Sequence, residues 1–72
     1  MRTYVVKQFT HVLDTNPTLS EPLSESEAVD LAGEWINETV SWVVQHTPYS
    51  ISENELEEIR EIESTLVKIE EV

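Results

Sequence analysis

The segment from Ser24 to His46, SESEAVDLAGEWINETVSWVVQH, limits the possible folds of this chain more than any other part of it. With successive residues placed 100° apart, its apolar side chains fall on one broad arc and its charged side chains fall opposite. Such a pattern is typical of an amphipathic helix that covers a core with one face. Ser24 and Glu27 form a capping box at its start. Pro48 ends it, because the residue before a proline disfavours helical geometry. We therefore predict a long central helix over about residues 24–46.

A second helix is predicted by a repeat of the same opening device. Ser52 is followed three residues later by Glu55, which again makes a capping box. Ile51 precedes the cap and can pack against Leu56 as a hydrophobic staple. We predict that this helix spans about residues 53–63, with its glutamates in water.

Strand composition flanks the two helices. Residues 3–13 contain no glycine or proline and are rich in β-branched and aromatic types, which predicts an N-terminal strand. We predict that residues 18–23 form an irregular connection. The tail has two interpretations, because its apolar spacing continues the second helix while residues 65–71 also alternate as a strand does. We favour a strand over 65–71, since cap-type residues precede it and the first strand needs a hydrogen-bonding partner.

The predicted architecture is an α+β fold, a small β-α-α-β domain that comprises residues 1–72. The N-terminal strand pairs with the C-terminal strand in this prediction. A sheet of two strands is only marginally stable, and a chain this short buries little apolar surface. Pairing across a two-fold axis would give four strands, so the sequence favours a homodimer.

The charge of the chain restricts its partners. The net charge is -11, and all fifteen acidic residues lie at or after Asp14. Such a surface repels nucleic acid, which proteins bind mainly through lysine and arginine, and it repels anionic membranes equally. A basic surface on another protein is the favoured partner, although surface acids often do no more than keep a small protein soluble. The absence of cysteine and of long apolar runs predicts a cytoplasmic protein.

No constellation of residues predicts chemistry. His11 and His46 are far apart in sequence, and no carboxylates accompany either one at ligand spacing. The acidic residues do not follow the spacing of a calcium loop. We predict no catalytic residue, no metal site, no cofactor and no enzymatic activity.

Two groups of residues are candidates for a partner or dimer surface. The first widens the apolar side of the central helix beyond what a small sheet can cover, and the second is an acidic strip on the second helix. These candidates are Val29, Val40, Val44, Glu53, Glu57, Glu58 and Glu61. Trp35 and Trp42 share a face, which predicts core packing for both; the alternative makes one of them an exposed binding hot spot.

The function predicted from these features is that of a small acidic protein-protein interaction or regulatory module. The alternative is a nucleic-acid mimic of the phage type, whose carboxylates imitate phosphates and block a DNA- or RNA-binding protein.

Overall fold

The computed structural model describes residues 2–72 and confirms the predicted strand-helix-helix-strand order. The elements are β1 (Tyr4–Gln8), β2 (Thr18–Leu19), α1 (Glu25–Gln45), α2 (Glu53–Leu66) and β3 (Val67–Glu71). Both helices begin at the predicted serine caps, since Ser24 and Ser52 accept hydrogen bonds from the N–H groups of Glu27 and Glu55. Within residues 2–72, neither helix combines the length and apolar character that crossing a bilayer requires.

The sheet is antiparallel, with the order β2-β1-β3. The predicted pairing of the first and last strands is confirmed, and its register runs from Tyr4 opposite Glu71 to Gln8 opposite Val67. Because β1 and β3 are antiparallel neighbours, the two ends of the described chain lie side by side. The N–H of Val72 donates to the carbonyl of Thr3 at 2.9 Å.

A third strand occupies the segment that the sequence predicted as an irregular connection. Thr18 and Leu19 pair with Gln8 and Lys7. Farther along, Leu23 and Tyr4 exchange two backbone hydrogen bonds of 2.7 and 2.8 Å. These bonds satisfy the side of β1 that β3 does not reach, which a two-stranded sheet would leave open.

The first strand ends at Gln8, five residues before the predicted limit. The carboxylate of Asp14 accepts hydrogen bonds from the N–H of Thr10 at 3.0 Å and the N–H of Asn16 at 2.9 Å. Asp14 therefore holds residues 9–17 in a turn by offering their backbone a local partner in place of a strand.

Acid should loosen this turn. The hydrogen bond from the N–H of Thr10, followed by that from Asn16, lowers the pKa of Asp14 below its usual range. The stabilisation is therefore present above the pKa of the unfolded carboxyl and is lost as the pH falls through the lower pKa of the folded state. In an NMR titration, we expect the Thr10 and Asn16 amide protons to shift with the Asp14 carboxyl. The Asp14→Asn variant should remove that titration, and an unchanged titration in the variant would contradict this account.

The second helix is three residues longer than predicted and leads directly into β3. The hydroxyls of Ser64 and Thr65 donate to the carbonyls of Arg60 and Ile62 at 2.7 Å, so these residues continue the helix rather than end it. The N–H of Val67 still bonds the carbonyl of Glu63 while its backbone is already extended. No loop separates α2 from β3, and the predicted strand at the C-terminus is confirmed from Val67 onward.

The core lies between β1, β3 and the first half of α1. Val6 is 0% exposed and packs with Ala28, Ala32 and Val67, while Trp35 covers the edge of this cluster. The two alanines allow α1 to approach the sheet closely. The described residues measure 46 × 25 × 16 Å, a flat shape with one layer of helices on one sheet.

Candidate interaction surfaces

The second half of α1 and the whole of α2 form a pair of helices that we call the helical hairpin (residues 35–45 and 53–66). The amide of Gln8, the last residue of β1, donates to the hydroxyl of Thr39 at 3.0 Å. The part of α1 after Thr39 therefore extends past the end of β1. The guanidinium of Arg60 donates to the side-chain carbonyl of Asn37 at 2.6 Å and connects the two helices.

The helices carry most of the negative charge and almost none of the positive charge. Of the fifteen acidic residues, five lie on α1 and six on α2, and Arg60 is the one lysine or arginine on either helix. Within residues 2–72, both ion pairs use glutamates of β3 instead: Lys7 pairs with Glu70, and Arg2 pairs with Glu71 at 3.5 Å. Most of the carboxylates without an ion-pair partner in this part of the chain therefore lie on the helices, whereas two of the four cations, Lys7 and Lys68, lie on the sheet.

The predicted acidic strip lies on the exposed side of α2. Glu53, Glu57 and Glu61 are spaced four residues apart and share a face, and Glu58 is also exposed. Glu57, Glu58 and Glu61 line a shallow open depression together with Arg60. Since Arg60 already bonds Asn37, none of these carboxylates has to break an ion pair within residues 2–72 before it meets a partner.

The structure separates the three valines of the predicted surface. Val29 is 56% exposed and Val44 is 40% exposed, so both are accessible. Val40 is only 4% exposed, which removes it from the predicted surface. The correction has a simple cause: Val40 lies three residues after Asn37, which bonds Arg60 of α2. It therefore lies on the side of α1 that α2 covers and that the sequence analysis predicted to be uncovered.

The two tryptophans have different environments although they share one face of α1. Trp35 packs against the core, whereas Trp42 is 60% exposed. The ring of Trp42 stacks on that of His46, with centroids 4.2 Å apart and planes at 18°. Core packing was thus right for Trp35 and wrong for Trp42, because the sheet ends before it reaches the last turns of α1.

The histidines take part in local contacts. The ring of His11 accepts a hydrogen bond from the N–H of Leu13 at 3.2 Å, and Nδ1 of His46 lies 2.8 Å from the carbonyl oxygen of Trp42. In the part of the chain that the structure describes, no three histidine or carboxylate side chains come together as a metal site would need.

Comparison with known proteins found no matching family model, no significantly similar curated protein and no significantly similar solved structure.

Proposed function

We propose that this chain is a non-catalytic protein-binding module of the cytoplasm whose acidic helical hairpin docks on a basic surface of another protein. One observation carries the proposal: the seven carboxylates of the helical hairpin, Glu38 and the six on α2, have no ion-pair partner within residues 2–72, while Arg2 and Lys7 pair with glutamates of β3. The absence of cysteine is consistent with a reducing compartment.

The physical advantage of this arrangement is electrostatic. A surface lined by one sign of charge attracts an oppositely charged partner from a distance and raises the association rate by about 10- to 1,000-fold. The exposed glutamates of α2 are already free of cations, so docking gains charge pairs without losing any. Because exposed charges are screened by salt, such binding should weaken as ionic strength rises.

A matched pair of variants tests this proposal. The first changes Glu53, Glu57, Glu58 and Glu61 to Gln, and the second changes Glu25, Glu27, Glu34 and Glu38 of α1 to Gln, so that the net charge changes equally. In pull-downs from the native host between about 50 and 500 mM salt, the unmodified chain should retain a basic protein at low salt and release it at high salt.

The α2 variant should lose that protein, with retention reduced at least about tenfold, whereas the α1 variant should keep most of it. Equal losses in both variants would show that only net charge matters and would overturn the assignment to α2. Retention that does not change with salt would overturn the electrostatic mechanism as a whole.

A nucleic-acid mimic is the second candidate, and the row of acids on α1 favours it. Glu27, Asp30, Glu34 and Glu38 recur every three or four residues, which places one negative charge about every 4.5–6 Å along the helix. A phosphate backbone is likewise a regular row of single negative charges. If the mimic is correct, duplex DNA or RNA added to the pull-down should displace the captured protein, and the α1 variant should lose it. Failure of nucleic acid to compete would exclude this candidate.

A further inference from the structure

The outer edge of β3 offers backbone groups that nothing pairs within residues 2–72. On β1, Tyr4 and Val6 bond towards β2, through Leu23 and Ser20. The odd-numbered residues of β1 therefore bond towards β3. The bonds of Phe9 to Leu66 and of Val72 to Thr3 show this pattern at the two ends of the strand pair.

It follows that the even-numbered residues of β3 bond β1 and the odd-numbered ones face outward. The N–H and C=O groups of Ile69 and Glu71 and the C=O of Val67 lie on this edge. The N–H of Val67 is already bonded to Glu63. The edge is regular: it has five residues, no proline and no positive-φ residue.

We propose that β3 pairs with β3 of a second copy of this chain, antiparallel, with the two Ile69 residues opposite each other on a two-fold axis. The result is one six-stranded sheet, in the order β2-β1-β3 followed by the partner's β3-β1-β2. Each Ile69 N–H donates to the carbonyl of Ile69 in the other copy. Each Glu71 N–H donates to the carbonyl of the partner's Val67.

Charge selects this register over its neighbours. Because only outward-facing residues can exchange hydrogen bonds, the register can shift only in steps that pair odd-numbered residues with each other. With Ile69 on the axis, Lys68 lies opposite the partner's Glu70, twice in the dimer. A shift in one direction places Lys68 opposite the partner's Lys68, and a shift in the other places Glu70 opposite the partner's Glu70. Like charges directly opposite are unfavourable, and opposite charges are favourable.

Two exposed apolar side chains lie on the helical side of the same edge. Ile69 is paired with Val6, so it points to the layer of the helices, yet it remains 38% exposed. Val29 lies eleven residues before Val40 on the same side of α1, which α2 covers only farther along the helix. At the level of Val29, the neighbouring segment is β3, because α2 ends at Leu66. A second copy would cover both side chains.

The dimer should respond to salt in the direction opposite to the proposed docking of a basic protein. Each copy has a net charge of -11, so two copies repel each other at long range. Screening reduces this repulsion more than it weakens two short charge pairs. The inference is independent of the proposed function, because the dimer contact uses β3 whereas the docking surface uses α2.

Sedimentation of the purified chain from micromolar to millimolar concentration tests the proposal. We expect a reversible monomer-dimer equilibrium whose dissociation constant falls as salt rises. In amide exchange, the N–H groups of Ile69 and Glu71 should become protected as concentration increases, while those of Lys68 and Glu70, which bond β1, are protected throughout.

Two charge variants test which register the two β3 strands adopt in the dimer. The Lys68→Glu change places a carboxylate opposite Lys7 within the monomer, where two lysines now face each other, so the monomer should fold at least as well. In the dimer it places like charges opposite each other and should raise the dissociation constant at least about tenfold. The double variant Lys68→Glu with Glu70→Lys restores opposite charges across the axis and should restore the dimer.

Three outcomes overturn the proposal. The first is a monomer at every concentration and salt, which would mean that the charges of β3 keep the edge from pairing. The second is a dimer in which the amides of Ile69 and Glu71 gain no protection, since another surface would then hold the copies together. The third is a dimer of the single variant as tight as that of the unmodified chain.

Discussion

Replacing Val6 with alanine should lower the free energy of unfolding by about 2–3 kcal/mol. Val6 is the one large side chain that is fully buried among residues 2–72, and its neighbours belong to α1 and to β3. The change removes two buried methyl groups and leaves a cavity under α1, where Ala28 and Ala32 have no longer side chains to fill it. A chain this short buries little apolar surface, so this loss is a large part of its total free energy of unfolding.

Urea denaturation followed by circular dichroism measures this effect. The matched control is Val29→Ala, which makes the same chemical change at an exposed position of α1. In the monomer, at micromolar concentration, it should change the free energy of unfolding by no more than about 0.5 kcal/mol. If the two substitutions cost the same, Val6 is not the centre of the core and the packing described here is wrong.

The two tryptophans should respond very differently to truncation. Trp35→Ala should lower the free energy of unfolding by about 3 kcal/mol, the lower end of the range for a large aromatic side chain, because Trp35 covers the core while remaining partly accessible. Trp42→Ala should cost at most about 1 kcal/mol, since it removes a stacking contact with His46 at an exposed site.

The same pair of variants also has a spectroscopic readout. Trp35→Ala leaves only the exposed Trp42, so the emission of the folded variant should lie near that of the unfolded chain. Trp42→Ala leaves only Trp35, whose emission should shift markedly to the red on unfolding. Equal stabilities for the two variants would contradict the different environments of the two rings.

Local signals in the sequence predicted the helices well. Ser24 and Ser52 begin their helices as the capping boxes indicate, and the pairing of the first strand with the last follows from the need of each strand for a partner. These features depend on residues close together in the chain or on a general hydrogen-bonding requirement. They could be predicted without knowing the tertiary packing.

The errors arose where one element determines the surroundings of another. The arc of α1 was read as a single apolar face, but α2 covers Val40 while the early end of β1 leaves Trp42 exposed. That early end depends on the hydrogen bonds of Asp14, which reach back to Thr10, where the composition of residues 3–13 predicted that the strand would continue. The strand β2 was missed because two residues carry no periodicity, although the open side of β1 required a partner.

For the candidate surface, composition indicated the acids of α2 correctly as exposed side chains, since charged residues are rarely buried. Composition could not indicate that these glutamates have no ion-pair partners, because that depends on where the few lysines and arginines lie in the fold. Only the structure shows that Arg60 bonds Asn37 and that Lys7 bonds a glutamate of β3.

The pairing of β1 with β3 also has a consequence for the route by which the chain folds. These strands belong to opposite ends of the sequence, so their contact closes a loop that contains nearly every other residue. Closing so long a loop loses chain entropy before the sheet gains any contact, and folds dominated by distant pairings form slowly. The antiparallel helices α1 and α2 need only a short closure, so we expect them to associate first and the sheet to complete the structure last.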